Sequence, residues 1–514
     1  MKKENQLTYA NLTDKKREMF LNREKDWRNG GIVYQIFVDR FVPSADLKSK
    51  AHLYQAPRSL QDWQTLPQRG FKDAKTRYWT HELAFWGGDL KSTTTKVDYL
   101  KTLGVQTVYL NPIFDAYSNH KYDTYNYEVV SPEYGNLNDL SKLIQQLKDR
   151  GMQLVLDGVF NHMAIESPRF LEASKPNSPY RDWFVFGNQF PTGVRLWHNA
   201  PSLPELNLQN DKVREYLFSG PNSIVKRYIK LGVAGWRLDT AIELGYDYLT
   251  ELTEAAHEVN PQSLVVGELN NYPQGWSPSM DATMLLPLRD LIIQTIRGNV
   301  SSGVFSANVE QMIQETGMDT MLKSWVLLEN HDLGRIATDL KNWSEYQLAK
   351  TLQFTLPGTI NLYMGEEIGT QGGDDPLNRA TMNWQVIEKG NEYLTLHRNL
   401  IRIRQQERSL RIGDIKFLHS NNLIAYLRTT DQVEETLVVI VNPHDKPIKE
   451  TILVTEPMLK SHNHFVDLIT GKEILTSYGI LLPIEIPAKT SWILKPNLKP
   501  INGYTPYKNI KGSF

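Results

Sequence analysis

Four short apolar runs in this chain each end in acids, and that recurrence restricts the fold more than any other feature. They are Leu154-Val-Leu-Asp157-Gly-Val-Phe-Asn161-His162, Gly235-Trp-Arg237-Leu-Asp239, Leu264-Val-Val-Gly-Glu268 and Trp325-Val-Leu-Leu-Glu329-Asn330-His331-Asp332. Unbroken apolar runs of this length suit parallel strands buried on both faces. Carboxylates at the C-terminal ends of several such strands mark the rim where a β/α-barrel carries its chemistry. Arg237 and Asp239 stand two residues apart, so on a strand they share one face and one site. A neighbouring guanidinium favours an ionised carboxylate. Asp239 is therefore a candidate nucleophile or charge stabiliser, weighed against a plain structural ion pair.

The four stretches, in this order and spacing, resemble the signature regions of the α-amylase family of glycoside hydrolases, family 13, in its cyclomaltodextrinase, neopullulanase and α-amylase branches. The resemblance runs from Val33 to roughly Trp384. It implies Asp239 as nucleophile, Glu268 as general acid/base and Asp332 as the acid that stabilises the transition state. It also implies that Arg237 orients the nucleophile, that His162 and His331 hydrogen-bond the sugar, and that Asp157 belongs to the substrate-binding set. Ser118-Asn119-His120-Lys121-Tyr122-Asp123-Thr124 is a further family signature, in which Tyr122 stacks under the sugar while His120 and Asp123 brace it. Asp375-Pro-Leu-Asn-Arg379 matches the family's Asp-Pro-x-Asn-Arg, so Asp375 and Arg379 are expected on the next sugar towards the non-reducing end. The alternatives are a tyrosine that only packs the rim and a solvated salt bridge.

The 514 residues exceed a typical single domain. The expected fold is α/β, a (β/α)8 TIM barrel with a small inserted domain after strand three and a C-terminal all-β sandwich. Boundaries are placed at 1–30 for a helical extension starting near Thr13 or Asp14, and 31–162 with 208–410 for the barrel. The insert takes 163–207, the sandwich 411–497 and an irregular tail 498–514. Barrel strands are expected at Ile32–Val38, Thr107–Leu110 and Thr359–Tyr363 besides the four acid-tipped runs, and helices at Lys91–Leu103 and Leu137–Arg150. From Ile412 onward short alternating runs such as Leu423-Ile-Ala-Tyr-Leu427 read as sandwich strands. Neopullulanase-like relatives carry an N-terminal sandwich domain that this sequence lacks, so a monomer or weak homodimer is expected.

Some relatives bind calcium through Gly-Gly-Asp, here Gly87-Gly88-Asp89, and an upstream loop dense in Asn and Asp. The loop here, Val42 to Lys50, has one acid and two lysines, whereas calcium wants six to eight oxygens. No cofactor is expected to be required; Gly87, Asp89 and Asn161 are the only residues to test for calcium. Leu203-Pro204-Glu205-Leu206-Asn207 resembles the family's fifth region and leans towards α-1,4 cleavage. After the nucleophile, Thr240-Ala-Ile-Glu243 lacks the Lys-His pair of many α-amylases, which favours shorter oligosaccharides. Tyr272 and Trp276 either line the acceptor side or pack their loop.

A formal net charge of -1 argues against nucleic acid and anionic membrane partners. Twelve tryptophans and 24 tyrosines supply faces on which neutral sugars stack. With no cysteine, no apolar leader and no long apolar run, a cytoplasmic location is expected. The reaction these residue types suit is retaining hydrolysis of α-1,4 bonds in malto-oligosaccharides, cyclodextrins or starch fragments, with transglycosylation as a second outcome. An α-1,6-glucosidase, a sucrose- or trehalose-acting transferase, and a non-catalytic glucan-binding protein are the alternatives.

Overall fold

The computed structural model describes residues 9–457 and 459–498. Eight parallel strands close a barrel: β1 (Ile32–Ile36), β2 (Thr107–Leu110), β3 (Gln153–Gly158), β4 (Gly235–Leu238), β5 (Leu264–Leu269), β6 (Ala282–Leu285), β7 (Trp325–Val326) and β8 (Thr359–Tyr363). Each pairs with its neighbours in sequence, and β1 closes on β8. Val33, Tyr109, Val155, Val266, Met284 and Trp325 fill the interior, whereas Tyr34, Ile36, Val108, Leu110, Leu154 and Leu156 belong to the larger core shared with the outer helices. That alternation within an apolar run is what burial on both faces produces. Towards the C-terminal ends the interior series turns polar on the same period of two. Gln35 follows Val33, Asp157 follows Val155 and Glu268 follows Val266.

Amphipathic helices cover the outside. In Leu137–Lys148, Asn136 caps the amides of Asn138 and Asp139, and Leu140, Leu143, Ile144 and Leu147 are buried at spacings of three and four. The single helix expected from Lys91 is broken into Leu90–Thr94 and Val97–Leu103. The sequence pattern does not single out β6, which is four residues long and runs directly into the helix Leu286–Ile296. Among the described residues the β5–β6 connection carries no helix. Residues 163–207 hold one short α-helix, Pro168–Ala173, 3₁₀ turns, and isolated bridges such as Leu196 to Pro204 and His162 to Glu205.

After the barrel come β9 (Asp414–Phe417), β10 (Ile424–Thr429), β11 (Leu437–Asn442), β12 (Ile448–Leu453), β13 (His464–Asp467), β14 (Glu473–Thr476), β15 (Leu481–Ile486) and β16 (Thr490–Pro496). Six form an antiparallel sheet, ordered β9-β10-β11-β16-β13-β14, and β12 pairs with β15. Ala425, Leu427, Val438 and Ile440 pack with Ile448, Ile452, Leu482 and Ile484 of the two-stranded pair, while Ile424, Tyr426, Val439 and Val441 join the barrel's core. The sheet is thus clamped between barrel and pair. The N-terminal helix, α1 (Tyr9–Lys25), is already running at Tyr9, upstream of the expected start. Its Arg23 reaches Asp319 and Asp414, both at 2.7 Å, tying the barrel's N-terminal end to β9. The irregular tail expected at the end of the chain lies, from 499, outside the described residues. Among the described residues no helix is long and apolar enough to cross a membrane.

Candidate active site

A cleft of about 410 Å³ opens at the C-terminal end of the barrel, lined by Asp239, Glu268, Asp332, Tyr122, His120, His162, His331, Asp375 and Arg379. Several separate segments deliver these side chains, and the strand ends decide where they point. Gly267 precedes Glu268 because a Cβ there would lie 2.4 Å from Met280 Sδ and 2.9 Å from Ala241 Cβ. Thr240, directly after Asp239, is held in the left-handed region at φ 45°, and its amide donates to Glu268 Oε2 at 3.2 Å. Strain of this kind in a non-glycine residue concentrates at functional sites.

Arg237, with no exposed surface, is divided among three acids. Its Nη1 donates to Asp157 Oδ1 at 2.9 Å and to Asp239 Oδ1 at 3.2 Å, and Nη2 makes an ion contact with Glu268 Oε1 at 2.9 Å. Asp157 also accepts the hydroxyls of Tyr109 and, at 2.8 Å, Tyr122. Neither Asp157 nor Arg237 lines the cleft. The resemblance puts both in the substrate-binding set; the structure puts them behind it, where they fix Tyr122 and the two acids.

Arg237 pulls Asp239 towards its ionised form, as expected, and burial acts against it. Burial pushes Asp239 well above the ordinary carboxylate range; Arg237 opposes the push, and Glu268, Asp157 and Asp332 add to it. Burial also raises Glu268, with Arg237 opposing and Asp332 reinforcing. One guanidinium serves Asp157, Asp239 and Glu268, and burial raises Asp239 and Glu268 against it.

The walls are aromatic and neutral. Tyr122 and His331 stack in parallel, ring centres 5.2 Å apart at 4°. Gln35 Nε2 lies 2.9 Å from His331 Nδ1, which makes that nitrogen the acceptor and leaves the proton on Nε2, 3.1 Å from Asp332 Oδ2. Burial, with Arg379 and Arg237 beyond it, pushes the His331 pKa well below its usual value. His162 Nε2 faces the Tyr122 carbonyl at 3.2 Å, and burial pushes this histidine down to about 3. Asp332 takes Arg379 Nη2 at 3.2 Å, Arg379 Nη1 lies 2.9 Å from Asp375, and both members of that pair line the cleft. His120 stacks on Tyr122 at 5.9 Å and faces Glu82 at 3.6 Å. Asp123 accepts from Tyr78 and from the amides of Tyr117 and Ser118, bracing the bend from below.

Sequence reasoning missed Glu82, Trp197, His198 and Asn270, and noticed Glu243 only as a departure from a pattern. All five line the cleft. Trp197 stacks on His162 at 5.0 Å, and its indole nitrogen donates to Glu243 at 3.1 Å. Glu205 pairs with Arg195 and does not line the cleft, so the lean towards α-1,4 bonds drawn from it has no contact behind it. Trp276 is buried against Tyr246 at 4.3 Å and packs its loop, whereas Tyr272 is exposed and off the cleft.

The alpha-amylase catalytic-domain family model matches residues 35–411. The chain belongs to the α-amylase family of glycoside hydrolases. It is 30% identical over 475 residues to Neopullulanase 2 of Thermoactinomyces vulgaris, covering 89% of this chain and 76% of that protein. A Bacillus sp cyclomaltodextrinase is 30% identical over 431 residues, covering 81% and 73%. Among solved structures, Ttha1563 of Thermus thermophilus superposes with a TM-score of 0.78 at 26% identity, over 92% of this chain and 100% of that one.

The donors at the calcium corner known in some of the family do not fit an ion here. The Gly87 carbonyl accepts the Ser44 amide at 2.9 Å, and Asp89 is shared between the Ser92 amide and Lys50 Nζ, both at 2.7 Å. Asn161 turns its amide to His162 Nδ1 at 3.4 Å. Among the described residues no group of three or more His, Asp or Glu is arranged to hold a metal.

Proposed function

We propose that this enzyme is a retaining α-glucan hydrolase acting on α-1,4 bonds of malto-oligosaccharides and cyclic or starch-derived fragments. The observation that carries the reading is that Asp239 and Glu268 touch opposite ends of one guanidinium, with Asp332 across the same cleft. Acids bridged so closely suit the spacing of about 5–5.5 Å of a retaining pair. The names of the relatives, neopullulanase and cyclomaltodextrinase, support the substrate class.

In the working site Glu268 carries the proton, its burial favouring the neutral form, and Asp239 is the carboxylate, answered by Arg237 Nη1 at 3.2 Å. Glu268 gives that proton to the glycosidic oxygen as the bond to the anomeric carbon breaks. Asp239 forms the new bond to that carbon, and its charge, lost into an ester, relieves the crowding around Arg237. Asp332, held by Arg379 and His331, steadies the positive ring in transit. Glu268 then removes a proton from water, or from a sugar hydroxyl in transglycosylation, and the ester is released with the configuration retained. Neutral His162 and His331 add no charge to the substrate wall, and their Nε2 groups hold the Tyr122 carbonyl and Asp332 in place.

The test is proton NMR of the protein acting on maltopentaose, read before mutarotation. Early α-anomer from the wild type and none from Asp239→Asn supports the reading; early β-anomer overturns it. Cleavage only of isomaltose, or transfer without hydrolysis from sucrose, would replace it with the debranching or transferase alternative.

A further inference from the structure

Behind the Tyr122 wall two buried carboxylates, Asp89 and Glu133, each 2% exposed, are met by three side-chain cations. Lys50 Nζ donates to Asp89 Oδ2 at 2.7 Å and to the Glu133 carbonyl at 3.0 Å. Arg58 Nη1 donates to Glu133 Oε1 at 2.5 Å, and the fully buried Lys121 Nζ lies 3.2 Å from Glu133 Oε2. Lys50 ends the loop that begins at Val42, Asp89 caps the helix Leu90–Thr94, and Glu133 follows the hairpin strand Thr124–Val130. One ammonium therefore joins three loops. Those loops have no slack: a Cβ on Gly88 would lie 2.0 Å from the Val38 carbonyl, and Gly87 is at φ +77°.

We infer that Lys50 is a built-in replacement for a bound metal ion, supplying from the chain the positive charge that holds this corner together. A calcium ion would need oxygens at about 2.3–2.6 Å. Here Lys50 nitrogen sits at 2.7 and 3.0 Å from Asp89 and the Glu133 carbonyl, the separations of charge-assisted hydrogen bonds. Lys50 already answers Asp89, and Lys121 and Arg58 answer Glu133, so neither carboxylate is left unpaired for a further double charge. Burial pushes Glu133 up, yet Lys121 and Arg58 bring it below its ordinary value, so it stays ionised. The consequence reaches the cleft through Lys121, a left-handed non-glycine residue at φ 66° between His120 and Tyr122. Its ammonium, anchored by Glu133 and the Ala116 carbonyl, fixes the bend that presents both rings. Lys50 and Lys121 are positioning residues, and they make the substrate wall independent of divalent metal at this corner.

The test is thermal unfolding of the full chain, with and without EDTA and with millimolar calcium, for wild type, Lys50→Met, Asp89→Asn and the double variant. Asparagine keeps the helix cap while removing the charge. Wild-type Tm is expected to hold within about 1 °C under all three conditions. Lys50→Met is expected to lose about 5 °C, because it strands a buried carboxylate, and the double variant to recover much of that loss. A calcium-induced rise in wild-type Tm that Asp89→Asn abolishes overturns the inference. A rise that persists in Asp89→Asn puts the ion elsewhere and leaves Lys50 in charge of the corner. Additive losses in the double variant overturn it as well. Should Lys50→Met not fold, the wild-type and Asp89→Asn responses to calcium decide alone.

Discussion

The buried histidines of the cleft make the fold sensitive to acid in a way one variant isolates. His162 is 1% exposed and its pKa is pushed down to about 3, first by burial and then by His120 nearby. In the unfolded chain the same group titrates near ~6.5. A depressed histidine contributes stability that is fully present above the unfolded pKa and is lost as pH falls towards the folded one. Between pH 7 and 5 the unfolded chain takes up about 0.7 of a proton at this position and the folded chain takes up almost none. The linkage relation makes that a loss of about 2 kcal/mol from the wild type. His162→Gln retains an amide donor for the Tyr122 carbonyl but cannot titrate. Every other group shifts alike in the two proteins and cancels in their difference. Urea unfolding followed by tryptophan fluorescence at both pH values should therefore show the variant less stable at pH 7, with the gap narrowing by about 2 kcal/mol at pH 5. A gap that is unchanged, or wider at pH 5, refutes a neutral, buried His162.

Three further outcomes follow from the acids and the wall. Glu268→Gln replaces the protonated acid by an uncharged amide of the same size, so Tm should change by less than about 2 °C while kcat falls by at least ~10³-fold, checked by calorimetry and reducing-sugar release. Tyr122→Phe keeps the stacked ring but loses the hydroxyl bonded to Asp157 at 2.8 Å; kcat/KM should fall about 10-fold, and Tyr122→Ala should cost clearly more. Trp197→Ala removes one of the two donors at Glu243 and uncovers His162, so KM on maltopentaose should rise by about 5- to 20-fold with a smaller change in kcat, measured by initial rates.

The acids of the cleft could be brought together from the sequence because they follow apolar runs and a barrel puts its chemistry at one end, and the period of two adds Arg237 beside Asp239. Their separate roles, that of Asp332 above all, come from the resemblance to the α-amylase family. What the sequence concealed depends on loops. β6 is only four residues long and passes straight into a helix, so neither length nor a turn marks it. Trp197 and His198 lie in a segment with no helical or strand period, and only folding brings them against Glu243. Lys50 reads in sequence as one of two ordinary solvated lysines on a loop; its role needs Asp89 and Glu133, from two other loops, to be brought around it. The division of Arg237 among three acids is likewise a property of the closed barrel, which its nearest sequence neighbour alone does not reveal.

The central claim, a covalent bond to Asp239, is tested most directly by trapping it. Glu268→Gln incubated with α-maltosyl fluoride, whose leaving group needs no proton, should accumulate the ester because release is slowed. Mass spectrometry of the acid-quenched peptides should then show one maltosyl unit on the peptide carrying residue 239, absent in the Asp239→Asn, Glu268→Gln pair. A maltosyl unit on another residue, or rapid turnover to β-maltose with no adduct, would contradict the account.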